Sequence, residues 1–569
     1  MTDPAATAHP LPPSASELFT PKLVTVLREG YRLADLRADV LSGLTVAIVA
    51  LPLSMAIAIA SGVTPERGLF TAAVGGLLIS ALGGSRFQIG GPAAAFTVLV
   101  AGTVARHGLP GLALATIMAG LILLAMGLLR LGSYVKFIPY PVTVGFISGI
   151  AVILFIGQVG DLLGLTLASN PADILPKVEV LAGALGTINW AATAVSGGTV
   201  AMILLLRRYL PGWPGILIAV VAAGVIAYAL HMPVSTIGTR FGGIPSTLPA
   251  PSLPSISLQA AIDVLPDAIS FALLGAIESL LSAMVADGMT GRRHRSNMEL
   301  VAQGIANIGS ALFGGITATG TVARTATNVR SGARSPLSGI FHAGFIVLFM
   351  LVAAPLASYI PLAALAGVLA VVSWNMIEKH ALVALVRSSR GDTLVLLASF
   401  LLTVFVGLTE GIVVGFALGT LLFIHRMAQT ASVELQLPGV EEDLPDEPGR
   451  PRYDAASATD PDVAIYRING AFFFGAAASV GTILDRIADR HRALILDFSA
   501  VPFIDSTAAN TISGVVAKAK RGNVMVFVSG ATSSTTATLA AHGVHAPDVG
   551  FAKTIEAAAE AARAALRRG

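Results

Sequence analysis

The chain has 569 residues, of which 54% are hydrophobic and only 12% are charged, and its formal net charge is +3. Soluble domains carry about 25% charged residues, so this composition excludes a single soluble domain, and it is too apolar for a disordered chain. The absence of cysteine excludes disulfides and thiolate metal sites, and the small net charge gives no reason to expect nucleic-acid binding.

Charge is unevenly distributed along the chain. Residues 1–430 contain 23 Lys and Arg and 17 Asp and Glu, whereas the much shorter remainder contains 13 and 16. The first part is as poor in charge as a membrane domain, and the second resembles a soluble domain. We therefore predict a cytoplasmic N-terminal segment at 1–40, a transmembrane domain at 41–430, an acidic linker at 431–462 and a cytoplasmic domain at 463–569.

Twelve apolar segments are candidate membrane helices, because a helix needs about 20 mostly apolar residues to cross the bilayer. They lie at 41–60, 68–83, 110–129, 142–163, 181–206, 215–231, 266–286, 299–313, 337–357, 362–376, 391–408 and 411–427. Two shorter apolar pieces, 92–104 and 322–330, each follow a Gly-rich run. We interpret each run and its piece as one discontinuous span, half extended and half helical, which predicts fourteen crossings.

The basic residues support this count. With the N-terminus in the cytoplasm, the predicted cytoplasmic segments carry 18 Lys and Arg, the outer loops carry four, and Arg324 lies within the membrane. Cytoplasmic loops of membrane proteins are enriched in these residues. An even number of crossings also places the C-terminal domain in the cytoplasm.

The Gly-rich runs occur once in each half of the membrane part. The first is ALGGSRFQIGGPAAAF at 81–96, and the second is ALFGGITATGTVAR at 311–324. Seven predicted spans separate them, so the second half would lie inverted in the membrane. Corresponding interrupted segments in two inverted halves indicate a transporter binding site. The alternative is that the glycines only allow tight helix packing.

A helix that begins in mid-membrane has unpaired N–H groups and a partial positive charge at its start. Two such starts facing each other predict an anion site made from backbone. The predicted substrate-binding residues are Ala93, Ala94, Ala95 and Phe96 at one start, Thr321, Val322, Ala323 and Arg324 at the other, and Ser54 in the first span. A packing role suits Ser54 equally well.

Two charged side chains interrupt apolar segments. Glu278 lies in the apolar segment 268–288, where a carboxylate is costly and a functional role is expected. We predict that Glu278 takes up and releases a coupling proton, with Ser282 one helical turn away on the same face. A structural ion pair without coupling is the alternative. Arg324 either neutralises the anion directly or pairs with Glu278, and the sequence leaves both possibilities open.

Three blocks carry a family resemblance: GLTVAIVALPLSMAIAIASGVTPERGLF at 43–70, GGP at 90–92, and the long segment 298–340. In this order they resemble the SulP, or sulfate permease, family of anion transporters. The resemblance implies two inverted seven-span repeats, a core of spans 1–4 and 8–11, a gate of spans 5–7 and 12–14, elevator-like movement of the core, and a homodimer.

The resemblance also bears on the site and the substrate. Glu278 matches the family's acidic residue on the eighth span, whereas many relatives have serine at the position of Ala323, so that hydroxyl donor is absent here. The segment AIESLLSAMVADGMTG is most similar to bacterial proton-coupled members that carry dicarboxylates. Some sodium-coupled bicarbonate members instead have Asp at the position of Glu278, so the resemblance favours proton coupling.

Residues 463–529 alternate strand-like and helix-like stretches in a βαβαβ pattern, which predicts an α/β domain. This part resembles the STAS domain that ends chains of the SulP family. The FIDSTAAN segment at 503–510 matches its signature turn. The candidate regulatory residues are Asp505 and Ser506, because the loop serine is phosphorylated in related anti-sigma-factor antagonists. A helix N-cap is the alternative explanation.

The residues and the resemblance together predict a secondary active anion transporter of a bacterial inner membrane, not an enzyme, with both termini in the cytoplasm. The predicted activity is proton-coupled uptake of a dicarboxylate or related anion, without a metal or cofactor. Alternatives are a sulfate or bicarbonate transporter coupled to protons or sodium, an anion exchanger or channel, and a sensor or scaffold. The expected partners are the lipid bilayer, a second copy of the chain and a cytoplasmic protein bound to the STAS domain.

Overall fold

The computed structural model describes residues 18–134, 139–169, 171, 173–210, 213–254, 256–435, 462–477, 481 and 491–568. The chain divides into two compact units, Met1–Phe416 and Ala417–Gly569, each of which is described by itself.

The first half of the larger unit is mainly helical and contains one extended run. Its helices are α1 Lys22–Glu29, α2 Leu33–Ala60, α3 Pro65–Phe70, α4 Gly76–Leu82, α5 Thr97–Leu128, α6 Tyr140–Leu163, α7 Ile174–Gly183, α8 Trp190–Tyr209, α9 Gly215–Ala229 and α10 Ile237–Phe241. A π-helical turn at Thr71–Gly75 joins α3 to α4. The extended run contains the short strand β1, Gly90–Gly91, and a 3₁₀ turn at Ala94–Phe96 leads from it into α5.

The second half is also mainly helical and contains one extended run. Its helices are α11 Leu258–Thr290, α12 Ser296–Leu312, α13 Val322–Arg330, α14 Leu337–Ala357, α15 Leu362–Met376, α16 Lys379–Ser388, α17 Arg390–Phe405 and α18 Leu408–Gln429. The strand β2, Thr319–Gly320, lies in the second extended run, directly before α13. Both Gly-rich runs are therefore extended and followed by helix, as the sequence predicts. The boundary between the two units falls inside α18.

Apolar helices of membrane-spanning length dominate this unit. By length and composition, eight helical stretches of the described residues could cross a bilayer, namely Leu33–Ala60, Ala94–Leu128, Tyr140–Leu163, Trp190–Tyr209, Leu258–Thr290, Leu337–Ala357, Leu362–Ser388 and Leu408–Gln429. The membrane α-helical fold is thus confirmed, while the count of fourteen crossings stays a prediction. The predicted spans 92–104 and 110–129 are the two parts of α5, which is kinked at Gly108.

One predicted span begins later than expected. The segment 181–206 is not a single helix, because α7 ends at Gly183 and α8 begins at Trp190. The Asn189 side chain accepts hydrogen bonds from the N–H groups of Ala191 and Ala192 and so caps α8. An Asn cap satisfies amides that a new helix would otherwise leave unpaired, which sets the start of α8.

The core of the larger unit is closely packed because small residues let backbones approach. On α5 and α12, a Cβ added at Gly120 would lie 2.7 Å from the Gly304 carbonyl oxygen, and one added at Gly304 would lie 2.6 Å from that of Gly120. Real Cβ atoms do not tolerate such distances. The two helices therefore touch through their backbones. This contact packs α12 tightly against α5, the helix that follows the first extended run.

The smaller unit contains a five-stranded sheet in the order β3-β4-β5-β6-β7. Its strands are β3 Ser432–Leu435, β4 Val463–Asn469, β5 Ala493–Asp497, β6 Met525–Ser529 and β7 Val549–Ala552, and its helices are α19 Ser506–Arg521, α20 Ser533–Ala541 and α21 Ile555–Leu566. Strand β3 is antiparallel to β4, and the remaining neighbours are parallel. This is the α/β architecture expected from the alternating pattern.

The predicted linker at 431–462 is wrong at its beginning. Residues 432–435 form β3, which pairs with β4 in the register of Ser432 with Asn469. The backbone of residues 432–435 forms hydrogen bonds with β4. This segment is therefore a strand of the α/β unit and not a solvated linker. Residues 436–461 of the predicted linker lie outside the described residues. The same holds for almost all of 479–490, the first helix-like stretch of the predicted βαβαβ pattern.

Candidate functional site

The two extended runs cross as a short antiparallel ladder. Gly90 pairs with Gly320, Gly91 pairs with Thr319, and the Thr321 N–H donates to the Ile89 carbonyl oxygen over 3.0 Å. Helical structure begins at Ala94 after one strand and at Val322 after the other. The ladder therefore brings together two helix starts that are far apart in sequence.

Glycines at the crossing leave room for two side chains of the site. A Cβ added at Gly320 would lie 1.5 Å from Gln88 Nε2, and one added at Gly91 would lie 2.1 Å from Arg324 Nη1. Each of these side chains lies directly against the backbone of the opposite run. The Gly-rich composition, which first identified the runs in the sequence, is thus explained by close approach at the crossing.

Neither helix start is capped by a side chain. Ala93 precedes the first start and Thr321 the second, and neither donates or accepts a side-chain capping bond. Within the described residues, the N–H groups of Ala94 and Val322 have no acceptor, as expected for the first turn of a helix. Val322 is 38% exposed, so the second start is accessible from outside the protein. The residues of the first start are mostly buried, with Ala93 and Ala95 at most 4% exposed. Uncapped helix starts favour an anion.

Arg324 connects the second helix start to the first and to α2. Arg324 is 2% exposed, and its Nη2 atom lies 3.1 Å from both Ser54 Oγ and the Pro92 carbonyl oxygen. Its Nε and Nη1 atoms have no partner among the described residues. The structure thus brings Ser54, Arg324 and the first helix start together, as the sequence predicts, and the arginine is held behind the exposed Val322.

The possible ion pair between Arg324 and Glu278 is not formed. No carboxylate of the described residues lies within 4.0 Å of the Arg324 nitrogens, and the buried Glu278 Oε2 atom has no hydrogen-bond partner there. Hydrogen bonds to neutral groups hold the arginine instead, because Ser54 and Pro92 occupy Nη2. Arg324 and Glu278 therefore both keep unused hydrogen-bonding capacity.

Ser282 supports the crossing from α11. Its hydroxyl donates to Thr325 Oγ1 over 3.0 Å, and the same Thr325 oxygen accepts the Ile89 N–H over 3.1 Å. Ser282 is fully buried. It therefore links the helix of Glu278 to the first turn of α13 and to the first extended run.

Phe96 and Thr321 are directed into the protein. The Phe96 ring is 2% exposed and packs edge-on against Phe271, with ring centroids 6.0 Å apart. The Thr321 hydroxyl lies 3.5 Å from the Ile89 carbonyl oxygen. Phe96 therefore anchors the first helix start to α11. Phe96 and Thr321 can contribute to an anion site only through their backbone groups.

The sequence analysis assigned no role to a row of buried polar side chains on α12. Glu299, Gln303, Asn307 and Ser310 are each at most 3% exposed. Their spacing of four, four and three residues places them on one helix face. That spacing within the segment MELVAQGIANIGS was the available signal.

In the smaller unit, Asp505 is a helix cap. Its Oδ1 accepts the Ala508 N–H over 2.9 Å at the start of α19, and its Oδ2 accepts the Phe474 N–H over 3.0 Å. Ser506 is exposed as the first residue of α19. The capping explanation is correct for Asp505, and Ser506 is accessible at the surface of the α/β unit.

Comparison with known families and proteins gives two matches that together extend over most of the chain. Residues 36–399 match the sulfate permease family, and residues 455–558 match the STAS domain. The Bacillus subtilis (strain 168) protein YvdB, provisionally named a sulfate transporter, is 40% identical over 89% of this chain and 93% of its own length. The bicarbonate transporter BicA of Picosynechococcus sp. is 32% identical over 88% of this chain and 90% of its own length.

Solved structures show the same architecture. The transmembrane domain of a cyanobacterial BicA aligns with a TM-score of 0.61 at 33% identity, over 68% of this chain and 98% of that structure. The murine Solute Carrier 26 family member A9 anion transporter, in its inward-facing state, aligns with a TM-score of 0.85 over 99% of this chain and 96% of its own. At 19% identity, that second similarity shows the fold alone.

Proposed function

Because this chain belongs to the sulfate permease family and carries a STAS domain, we propose that it is a secondary active transporter that binds a small oxyanion between its two helix starts. The single observation that carries this proposal is the crossing of β1 and β2, which places two uncapped helix starts beside the buried Arg324. Two partial positive charges and one full charge then act on the same small volume.

Arg324 acts mainly as a fixed positive charge. A guanidinium binds an oxyanion with two parallel hydrogen bonds along one edge, and both such edges include Nη2. Here Nη2 already donates to Ser54 and to Pro92. The anion is therefore recognised by the backbone N–H groups of the helix starts, with Arg324 providing the favourable field and at most single hydrogen bonds from Nε or Nη1.

Recognition through backbone selects charge and size more than chemical identity. The named relatives at 32% and 40% identity point to bicarbonate or sulfate as substrate. A dicarboxylate, which the segment around Glu278 favours at the sequence level, is the third candidate. We propose a small oxyanion of this group as the cargo, moved by an elevator-like displacement of the core spans in a homodimer of the bacterial inner membrane.

Glu278 is the proposed coupling group. Its Oε2 atom is buried without a donor among the described residues, and an ionised carboxylate in that position is costly. Binding a proton removes the buried charge, so anion binding and release can be linked to proton uptake and release. A sodium ion neutralising the same carboxylate is the alternative, and only the coupling measurement separates the two.

The experiment is counterflow in vesicles containing the purified full-length protein. Vesicles loaded with unlabelled bicarbonate, sulfate or succinate are diluted into the same labelled anion, with and without an imposed pH or sodium gradient. We expect one of these anions to exchange and a pH gradient to drive its net uptake. Flux equal to that of protein-free vesicles for all three would contradict anion transport, and flux that ignores both gradients would favour a channel or exchanger.

A further inference from the structure

The buried polar row on α12 contains a carboxylate that the proposed transport mechanism does not use. Glu299 is fully buried, and no basic side chain of the described residues lies within 4.0 Å of it. A carboxylate inside a membrane domain is costly unless donors surround it. The donors around the Glu299 carboxylate therefore indicate the role of this residue.

Four donors surround Glu299, and two of them belong to the first extended run. Oε2 accepts the N–H groups of Gly84 over 2.9 Å and Ser85 over 3.1 Å. Oε1 lies 3.2 Å from Gln303 Nε2 and 3.4 Å from Ser279 Oγ. No strand of the described residues pairs with the first extended run at Gly84 and Ser85. The Glu299 carboxylate therefore accepts the two N–H groups that a neighbouring strand would otherwise accept.

The same face of α12 holds the second extended run. Asn307 Oδ1 accepts the Ala318 N–H over 2.9 Å, and Asn307 Nδ2 donates to the Ala318 carbonyl oxygen over 2.8 Å. Ser310 Oγ donates to the Ile316 carbonyl oxygen over 2.6 Å. Ala318 immediately precedes Thr319, the ladder partner of Gly91.

One rigid helix therefore fixes both runs at once. Glu299 and Asn307 are eight residues apart, or about 12 Å along a helix at about 1.5 Å per residue. Each run continues directly into one of the two helix starts, so displacement of either run changes the distance between these starts. An anion that binds to both starts is sensitive to that distance, because favourable hydrogen bonds tolerate only a few tenths of an ångström.

We propose that Glu299 is a positioning residue of the anion site, which holds the first extended run so that, with Asn307 holding the second, the two helix starts keep the spacing that the anion requires. Glu299 acts through Gly84 and Ser85 and does not contact the anion. The expected effect of Glu299 on anion affinity rests on the proposed function. Its effect on the position of the first extended run does not.

Asp39 provides a matched control. It is also fully buried, and its Oδ1 accepts two successive backbone N–H groups, Arg334 over 2.7 Å and Ser335 over 3.1 Å. The Tyr31 hydroxyl donates to its Oδ2 over 2.7 Å. This clamp holds a segment that follows the end of α13, so it lies outside both extended runs.

The experiment compares Glu299→Gln with Asp39→Asn in the full-length protein. Each substitution keeps the side-chain size and removes the negative charge, so the two backbone N–H groups lose a charged acceptor. For Glu299→Gln we expect faster amide hydrogen exchange in residues 84–93 and a KM for bicarbonate or sulfate raised about tenfold. For Asp39→Asn we expect faster exchange confined to residues near 334–335 and an unchanged KM.

Two results would overturn the proposal. One is a folded Glu299→Gln protein with wild-type exchange at 84–93 or a wild-type KM, and the other is an equal rise of KM in Asp39→Asn. If Glu299→Gln does not fold, Asn307→Ser replaces it, with faster exchange at 316–320 and a raised KM expected. If the wild-type protein carries neither anion, the proposed function fails for these substrates, and the exchange pattern alone decides whether Glu299 holds the run.

Discussion

Arg324 and Ser54 are joined by a hydrogen bond of 3.1 Å between Nη2 and Oγ, although 270 residues separate them in the chain. Ser54 belongs to α2 in the first half of the membrane unit, and Arg324 belongs to α13 in the second. With the Pro92 carbonyl oxygen as the other acceptor of Nη2, the bond holds the guanidinium in one orientation behind the helix starts. We test the membrane unit with three predictions and the α/β unit with a fourth.

Replacing Arg324 distinguishes two roles for its side chain: a fixed positive charge, or a donor of two parallel hydrogen bonds to the anion. We expect Arg324→Lys to retain part of the counterflow activity, since the positive charge remains, and Arg324→Ala to lose it by about a hundredfold or more. The measurement is initial counterflow rate against anion concentration in vesicles with equal amounts of folded protein. Equal inactivity of the two variants would instead favour direct clamping of the anion, and full activity of both would remove Arg324 from the site.

Replacing Glu278 tests coupling. We expect Glu278→Gln to exchange anion across the vesicle membrane but to show no net uptake driven by a pH gradient, because the amide resembles the protonated acid and cannot release a proton. Parallel assays in a sodium gradient distinguish the two candidate coupling ions. If a pH gradient drives anion accumulation in Glu278→Gln at the wild-type level, another group must carry the coupling.

The contact between α11 and α18 tests movement of the core against the gate. Ser270 Oγ and Thr409 Oγ1 are 2.5 Å apart, and the family resemblance assigns their helices to the eighth and fourteenth spans, one in each region. Because the chain has no cysteine, Ser270→Cys with Thr409→Cys introduces the only two thiols. We expect oxidation to a disulfide to stop transport and reduction to restore it.

The single variants Ser270→Cys and Thr409→Cys are the controls, and oxidation should leave their rates unchanged. Transport at the wild-type rate by fully cross-linked protein would show that α11 and α18 do not separate during the cycle. That outcome would contradict the elevator-like movement and leave anion binding untouched.

Asp505 and Ser506 differ in their expected effect on α19. We expect Asp505→Ala to destabilise the start of this helix by about 1 kcal/mol, since Ala508 and Phe474 lose an acceptor. Ser506→Ala should have little effect, because the serine is exposed and Asp505 is the cap. Amide exchange of residues 506–510 in the full-length protein measures both. An equal effect of the two substitutions would mean that the serine also supports the helix start.

Much of the fold follows from local features of the sequence. Long apolar segments predict membrane helices because the bilayer core sets their length, and the two Gly-rich runs predict extended backbone because tight helix formation there is unfavourable. The α/β pattern after residue 463 is equally local. The early start of the sheet at Ser432 was missed, since an edge strand of four residues gains its stability from pairing with β4 and not from its own composition.

The candidate site shows the same division. Arg324 and Glu278 could be found in the sequence because a charge in an apolar segment is rare, but their relationship could not. The sequence left open whether they pair, and the fold places Ser54 and Pro92 at the arginine instead. Glu299 escaped notice because it lies near the start of its helix, where a solvated carboxylate is ordinary.

The sequence by itself determined a membrane protein with two interrupted spans, two charges within apolar segments of the second half and an α/β domain at its end. These properties depend on composition and on neighbours within a few residues. Only the tertiary structure decided that the runs cross at Gly90 and Gly320, that Ser54 holds Arg324, and that Glu299 and Asn307 hold both runs from one helix. Such contacts join residues that are distant in the chain, and hydrogen-bond geometry between them arises only when the helices have packed.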